Sequence, residues 1–142
     1  KIHIVGKGNC LNEMKKISKK SNKDIKFHGY LKDPLIKLHK IIDLICVTSK
    51  YDGTPNILGE ALAYKIPCLA PSKVGLSNLL FKNGKYGYLY NPGNNQSFKK
   101  QVIGIFKNYN YAINKAKKGF NSLDRFNKKN TLTKLENILH KI

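Results

Sequence analysis

The order of segments predicts an α/β fold: a Rossmann-like parallel sheet with helices on both faces and a helical C-terminal tail. Three observations carry it. Short apolar runs alternate with amphipathic runs, the pattern of strand–helix–strand crossovers and hence of parallel pairing. Leu44–Val47 and Ile66–Ala70 are apolar without interruption, as in strands covered on both faces. The 142 residues suffice for one domain with a real core, but not for two domains and a cleft between them.

Taken in order, Ile2–Val5 reads as a strand closed by the turn Gly6-Lys7-Gly8-Asn9. Leu11, Met14 and Ile17 recur at helical spacing through Leu11–Lys20. Ile25–His28 alternates as a strand and ends at Gly29. Asp33 is a good cap and Pro34 suits the first helical position, with Leu35, Leu38, Ile41 and Ile42 as the buried face. After the strand Leu44–Val47 comes a loop, then a helix from Thr54-Pro55. Ile66–Ala70 and Gly87–Tyr90 are further strands, and Ser97–Asn108 begins a run of helices. The expectation is one domain over 1–142, with its core over 1–106 and peripheral helices over 107–142. The chain opens inside what reads as a core strand, as expected of a segment of something longer.

Lysine and arginine number 27 against 8 aspartates and glutamates, a formal charge of +19. Two readings stand. One is attraction to an anionic surface, chiefly a membrane; the other is lysines coating a solvated surface. A nucleic-acid partner is not expected, because Arg125 is the sole arginine and bidentate base and phosphate contacts lean on arginine. Cys10, Cys46 and Cys68 have no Cys-x-x-Cys spacing, and the last two sit in apolar runs as small hydrophobes. With His3, His28, His39 and His140 far apart in the chain, no metal site is expected. No apolar run is long enough to cross a membrane, and the cysteine usage points to a reducing, cytoplasmic compartment.

Open parallel sheets take ligands outside the carboxyl ends of their strands. The loops in question are 6–9, 29–32, 48–56 and 71–75. The informative stretch runs from Ser49 to Ala63. With Thr54 as cap and Pro55 at the first helical position, the free amides of Asn56 and Ile57 present a positive helix end suited to a diphosphate. Glu60 stands in Ile57-Leu58-Gly59-Glu60-Ala61-Leu62-Ala63, which reads as buried. A buried carboxylate needs donors, and two ribose hydroxyls are suitable ones; pairing with a lysine is the plainer alternative. Gly59 costs about 1 kcal/mol in mid-helix and implies close packing against a strand or a ligand. Asp52, eight residues before Glu60, either reaches a sugar on the same diphosphate or is an ordinary turn residue.

The run Ser49-x-Tyr51-Asp52-Gly53-Thr54-Pro55-Asn56-Ile57-Leu58-x-Glu60-Ala61-Leu62-Ala63, followed by Ile66-Pro67-Cys68-Leu69-Ala70, resembles the signature of retaining family-four glycosyltransferases of the GT-B fold. Val5-Gly6-Lys7-Gly8, Phe27-His28-Gly29-Tyr30 and Gly84-Lys85-Tyr86-Gly87-Tyr88-Leu89 resemble that family's flanking motifs, in the same order. The likeness covers about Lys1 to Phe106.

The resemblance implies the carboxyl-terminal, donor-binding half of a sugar transferase, acting on a nucleotide-diphosphate sugar without a metal. Glu60 is then the residue that holds the ribose and Asp52 the one that contacts the donor sugar, together the acidic pair of the catalytic site. Thr54, Pro55, Asn56 and Ile57 hold the diphosphate, within the loop that includes Ser49 and Gly53. Gly29, Tyr30 and Leu31 line the base, and Gly6 and Gly8 form the first ligand-facing turn. It also implies a glycan or lipid-linked acceptor in surface polysaccharide biosynthesis, at the cytoplasmic face of a membrane. Three departures stand out: Asp52 replaces the usual glutamate, the 71–78 loop lacks the common Gly-Gly or Gly-Pro followed by Glu, and the family's preceding Arg/Lys strand is not in this sequence. With the acceptor-binding amino-terminal domain absent too, the 142-residue piece is expected to transfer no sugar. The alternative is a non-catalytic nucleotide-binding or interaction module with a degenerate site.

Overall fold

The structure, a computed structural model, describes every residue except Lys50, Tyr51, Asp52, Thr54, Lys141 and Ile142. It falls into two compact units, Lys1–Lys40 and Ile41–Ile142. The predicted class holds: α/β, with every described strand pair parallel and a helical tail. The strands form two sheets, however, one in each unit, where the sequence suggests one.

In the first unit, β1 (Ile2–Val5) pairs in parallel with β2 (Ile25–Gly29) across the crossover helix α1 (Leu11–Lys20). Ile2 faces Ile25 and Ile4 faces Phe27, with an irregularity before Val5 reaches Gly29. Gly29 lies at φ +66°, a left-handed backbone that glycine adopts without strain. A short helix α2 (Pro34–Leu38) follows with Pro34 in its first turn, as predicted. It buries Leu35 and Leu38, and the His39 ring and backbone amide both bond the Leu35 carbonyl at its end, at 2.8 and 2.9 Å. Ile41, expected on its buried face, is exposed.

The second unit is built on the order β3-β4-β5: β3 (Ile45–Cys46), β4 (Cys68–Pro71) and β5 (Tyr88–Tyr90). All four residues of β4 are buried, which is the continuous apolar run doing what it predicts for a central strand. The run Leu44–Val47 does less: β3 is an edge strand and Cys46 is exposed, so its reading as a buried small hydrophobe is corrected. Helix α3 (Asn56–Ala63) crosses from β3 to β4, and the short α4 (Ser77–Leu80) from β4 to β5. Leu69, Tyr90, Ile105 and Ala112 form one core cluster.

Helices α5 (Asn95–Lys107), α6 (Tyr109–Asn121) and α7 (Lys128–Leu139) each begin at an asparagine whose side chain accepts a first-turn amide bond. The expectation of peripheral helices from residue 107 is corrected for α6. It buries Ala112, Ala116 and Gly119, and a Cβ added at Gly119 would meet Leu62 of α3 at 2.7 Å. α7 buries none of its residues. Between them, the Arg125 guanidinium stacks over Phe126 and donates to the carbonyls of Leu79 and Leu80, satisfying the end of α4. No helix of the described residues is long and apolar enough to cross a membrane.

Candidate functional site

The carboxyl ends of β3 and β4 are held at fixed spacing by three bonds. The Val47 amide donates to Leu69, extending the β3–β4 ladder, and the Tyr90 hydroxyl donates to the Val47 carbonyl at 3.2 Å. The Ser72 amide reaches the Tyr90 carbonyl at 2.9 Å. Past them, the Leu76 amide donates to the Gly53 carbonyl at 3.1 Å. The loop after β4 is thus stitched to the loop that leads into α3. Ser77 is fully buried with its hydroxyl on the Val74 carbonyl, which pins the far side of that loop.

α3 starts one residue later than the sequence suggests. Pro55 is its cap residue, extended at ψ 93°, and Asn56 is the first helical residue. Pro55 is buried and its carbonyl takes the Leu58 amide at 2.9 Å. The amides of Asn56 and Ile57 lie in the first turn, where a helix offers no carbonyl partner. The positive end of the helix dipole therefore opens at the carboxyl end of β3. Thr54, predicted as the cap, and Asp52, predicted to reach the sugar, lie outside the described residues.

Glu60 requires the main correction. It is exposed, not buried. Leu58, Ala61 and Leu62 turn inward at i, i+3 and i+4, which leaves Asn56, Glu60 and Ala63 as the open stripe of the same helix. Glu60 therefore sits one turn below the first-turn amides, on the side that Asn56 faces. Among the described residues no ion pair holds its carboxylate. Gly59 is likewise not packed against a strand: a Cβ there would meet nothing within 4 Å.

Of the other predicted residues, Ser49 and Gly53 are exposed on the β3–α3 loop and Ile57 is half-buried. Gly6, Gly8, Gly29, Tyr30 and Leu31 all belong to the first unit. Gly6, at φ +129°, donates its amide to the Gly29 carbonyl at 2.7 Å, joining the turns after β1 and β2. Tyr30 beyond them is exposed and Leu31 half-buried. No group of three or more metal-ligating side chains occurs among the described residues.

Sequence reasoning missed two groupings. His3 and His28, 25 residues apart, meet across β1 and β2 with Nδ1 and Nε2 at 2.9 Å; their alternation on paired strands is the signal that could have found them. Lys85, Lys115 and Lys118 meet around one cavity in the second unit, and the spacing Tyr111, Lys115, Lys118 along one helix face foreshadows it.

Comparison with known proteins gives a consistent result. The family model described as "Glycosyl transferases group 1" matches residues 1–121. The lipopolysaccharide 1,6-galactosyltransferase of Escherichia coli K12 is 27% identical over 103 residues, covering 69% of this chain and 29% of that protein. The chain thus spans less than a third of that curated relative. Among solved structures, the lipopolysaccharide outer core galactosyltransferase WaaB in its apo form superposes with a TM-score of 0.75 at 22% identity, over 99% of this chain and 40% of the other. Anabaena Alr3699/HepE in complex with UDP gives a TM-score of 0.78 at 19% identity, again over 99% of this chain and 40% of the other. Both share the fold.

Proposed function

Since this chain belongs to the group 1 glycosyl transferases, we propose that it is the nucleotide-sugar-binding half of a retaining enzyme that transfers a sugar to a glycan or lipid-linked acceptor of a surface polysaccharide. The observation that carries this is the open stripe of α3. The first-turn amides of Asn56 and Ile57 and the exposed carboxylate of Glu60 lie on one helix, one turn apart, where strand β3 ends. An anion at the helix start and a diol one turn away describe the diphosphate and ribose of a nucleoside diphosphate. The UDP complex of a protein with the same fold supports that ligand class.

The mechanism follows from what each group stabilises. The α3 amides and the helix dipole hold the diphosphate, and their stabilisation grows as the leaving group gains charge. Glu60 accepts both ribose hydroxyls as a charge-assisted pair, orienting the nucleotide without a metal. Because Glu60 is exposed, it carries no desolvation cost until the nucleotide covers it. Asp52 contacts the donor sugar. The remaining groups belong to an acceptor domain outside this sequence, and the place of work is the cytoplasmic face of a membrane, where the chain's +19 charge favours anionic lipid.

The test is a calorimetric titration of the chain with UDP, ADP and GDP. One of the three should bind saturably, and Glu60→Gln should weaken it about ten- to a hundredfold, as expected for losing bonds to a charged acceptor. A chain that binds none of them is the degenerate interaction module instead. Turnover of a UDP-sugar by the 142-residue chain alone would contradict the assignment of the acceptor machinery to a separate domain.

A further inference from the structure

The second unit holds a cavity of about 440 Å3 that lies apart from the α3 stripe. It opens between the turn at Gly84-Lys85, which feeds the amino end of β5, and one face of α6. Ligand sites of parallel sheets lie at the opposite, carboxyl ends. It is lined by four lysines, Lys85, Lys115, Lys117 and Lys118, together with Asn114 and Tyr111, and among the described residues neither an aspartate nor a glutamate lines it. α6 itself contains no acidic residue.

Lys115 is the informative member. Its Nζ sits 4.0 Å from the centroid of the Tyr88 ring and 5.9 Å from that of Tyr111. Partial burial holds its pKa below the ordinary lysine range. Among the described residues it has no carboxylate partner. Ring faces compensate a desolvated ammonium only in part; an anion completes the compensation. Four clustered cations exceed what one carboxylate would neutralise, and lysine is a point-charge binder of phosphoryl oxygens.

We propose that the cavity walled by Lys85, Lys115, Lys117 and Lys118 binds a phosphoryl-bearing anion, at a site separate from the one that takes the nucleotide sugar. The inference stands on this cavity alone and does not depend on the donor reading.

The experiment is an NMR titration of the full chain with inorganic pyrophosphate, read at backbone amides and at the lysine Nζ groups. Saturable shifts at residues 84–85 and 111–118, with the Lys115 titration moving up toward the ordinary lysine range, are the expected result. Lys115→Met combined with Lys118→Gln should weaken binding about tenfold or more. Lys99→Gln with Lys100→Gln removes the same charge from an exposed face of α5 and should change it less than about twofold. A parallel arm with phosphatidate-containing vesicles tells whether the phosphoryl group it takes sits on a lipid headgroup or is soluble; response in either arm supports the site. Shifts confined to residues 56–58, equal losses in the two double variants, or no response in either arm would overturn it. The first of those outcomes would leave the donor reading intact.

Discussion

The two sheets of this chain obey the same construction rule and reach different degrees of completion. In the first unit β1 is exposed at both ends, α1 buries none of its residues, and Ile2 and Ile17 are 49% and 60% exposed. In the second unit β4 is buried throughout, and α3 and α6 meet so closely that Gly119 has no room for a Cβ. Composition explains the contrast. α1 offers three apolar residues among ten and four lysines, whereas α3 offers Ile57, Leu58, Ala61, Leu62 and Ala63 among eight. Parallel strands gain stability from cover on both faces. The second unit therefore supplies the rigid frame, and the first is the softer part.

The largest effect should come from emptying the frame. Phe81 is fully buried and its ring lies against Gly87, where a Cβ would meet it at 2.7 Å. Phe81→Ala should cost about 3–5 kcal/mol, while Met14→Ala in the open α1 should stay within about 0.5 kcal/mol. Urea unfolding of the two variants checks this. Equal losses would mean that the two units are equally well packed in solution.

A smaller effect tests covered against open surface within the second unit, using two helical glycines. Gly119→Ala drives a methyl into Leu62 and the Cβ of Tyr86, and overpacking of about 1–3 kcal/mol should outweigh the helix-propensity gain of about 1 kcal/mol. Gly59→Ala meets nothing and should stabilise by up to about 1 kcal/mol. If thermal unfolding shows that gain and nucleoside diphosphate affinity falls at the same time, glycine is kept at 59 for a ligand and not for the fold.

How much of this was legible in the sequence depends on whether a signal was local. The buried run leading into β4, the Pro34 helix start and the Gly29 strand end were readable because each depends on a few adjacent residues. Glu60 was misread for a specific reason. Alanine and glycine count as apolar, so Ile57–Ala63 looks greasy all round, yet the small residues leave one stripe of the helix open. The late start of α3 turns on Pro55, which serves as the cap and not as the first helical residue. The inward face of α6 was hidden because it is made of alanines and a glycine, which bury little area each but permit close approach. The His3–His28 pair and the lysine cavity left only faint traces, in strand alternation and helix-face spacing, because both are products of strand register and helix placement, which composition does not encode.

The smallest effect separates the soft unit from the frame by pH. His3 is held below its ordinary pKa of 6.5, first by partial burial, then by the neighbouring His28, Lys1 and Lys26, with Asp24 opposing them. The folded state therefore binds a proton at His3 less readily than the unfolded chain does. Stability from this group is present above about pH 6.5 and is lost as the pH falls through the unfolded value toward the lower folded one. The contact itself agrees, since the 2.9 Å bond between the two rings needs one nitrogen as acceptor and fails when both rings are charged. Amide exchange in β1 and β2 should accelerate on acidification below pH 6.5, more than in β4, and His3→Gln should flatten that dependence. Exchange in β4 that speeds up in parallel would show the two sheets unfolding as one body and erase the contrast between them.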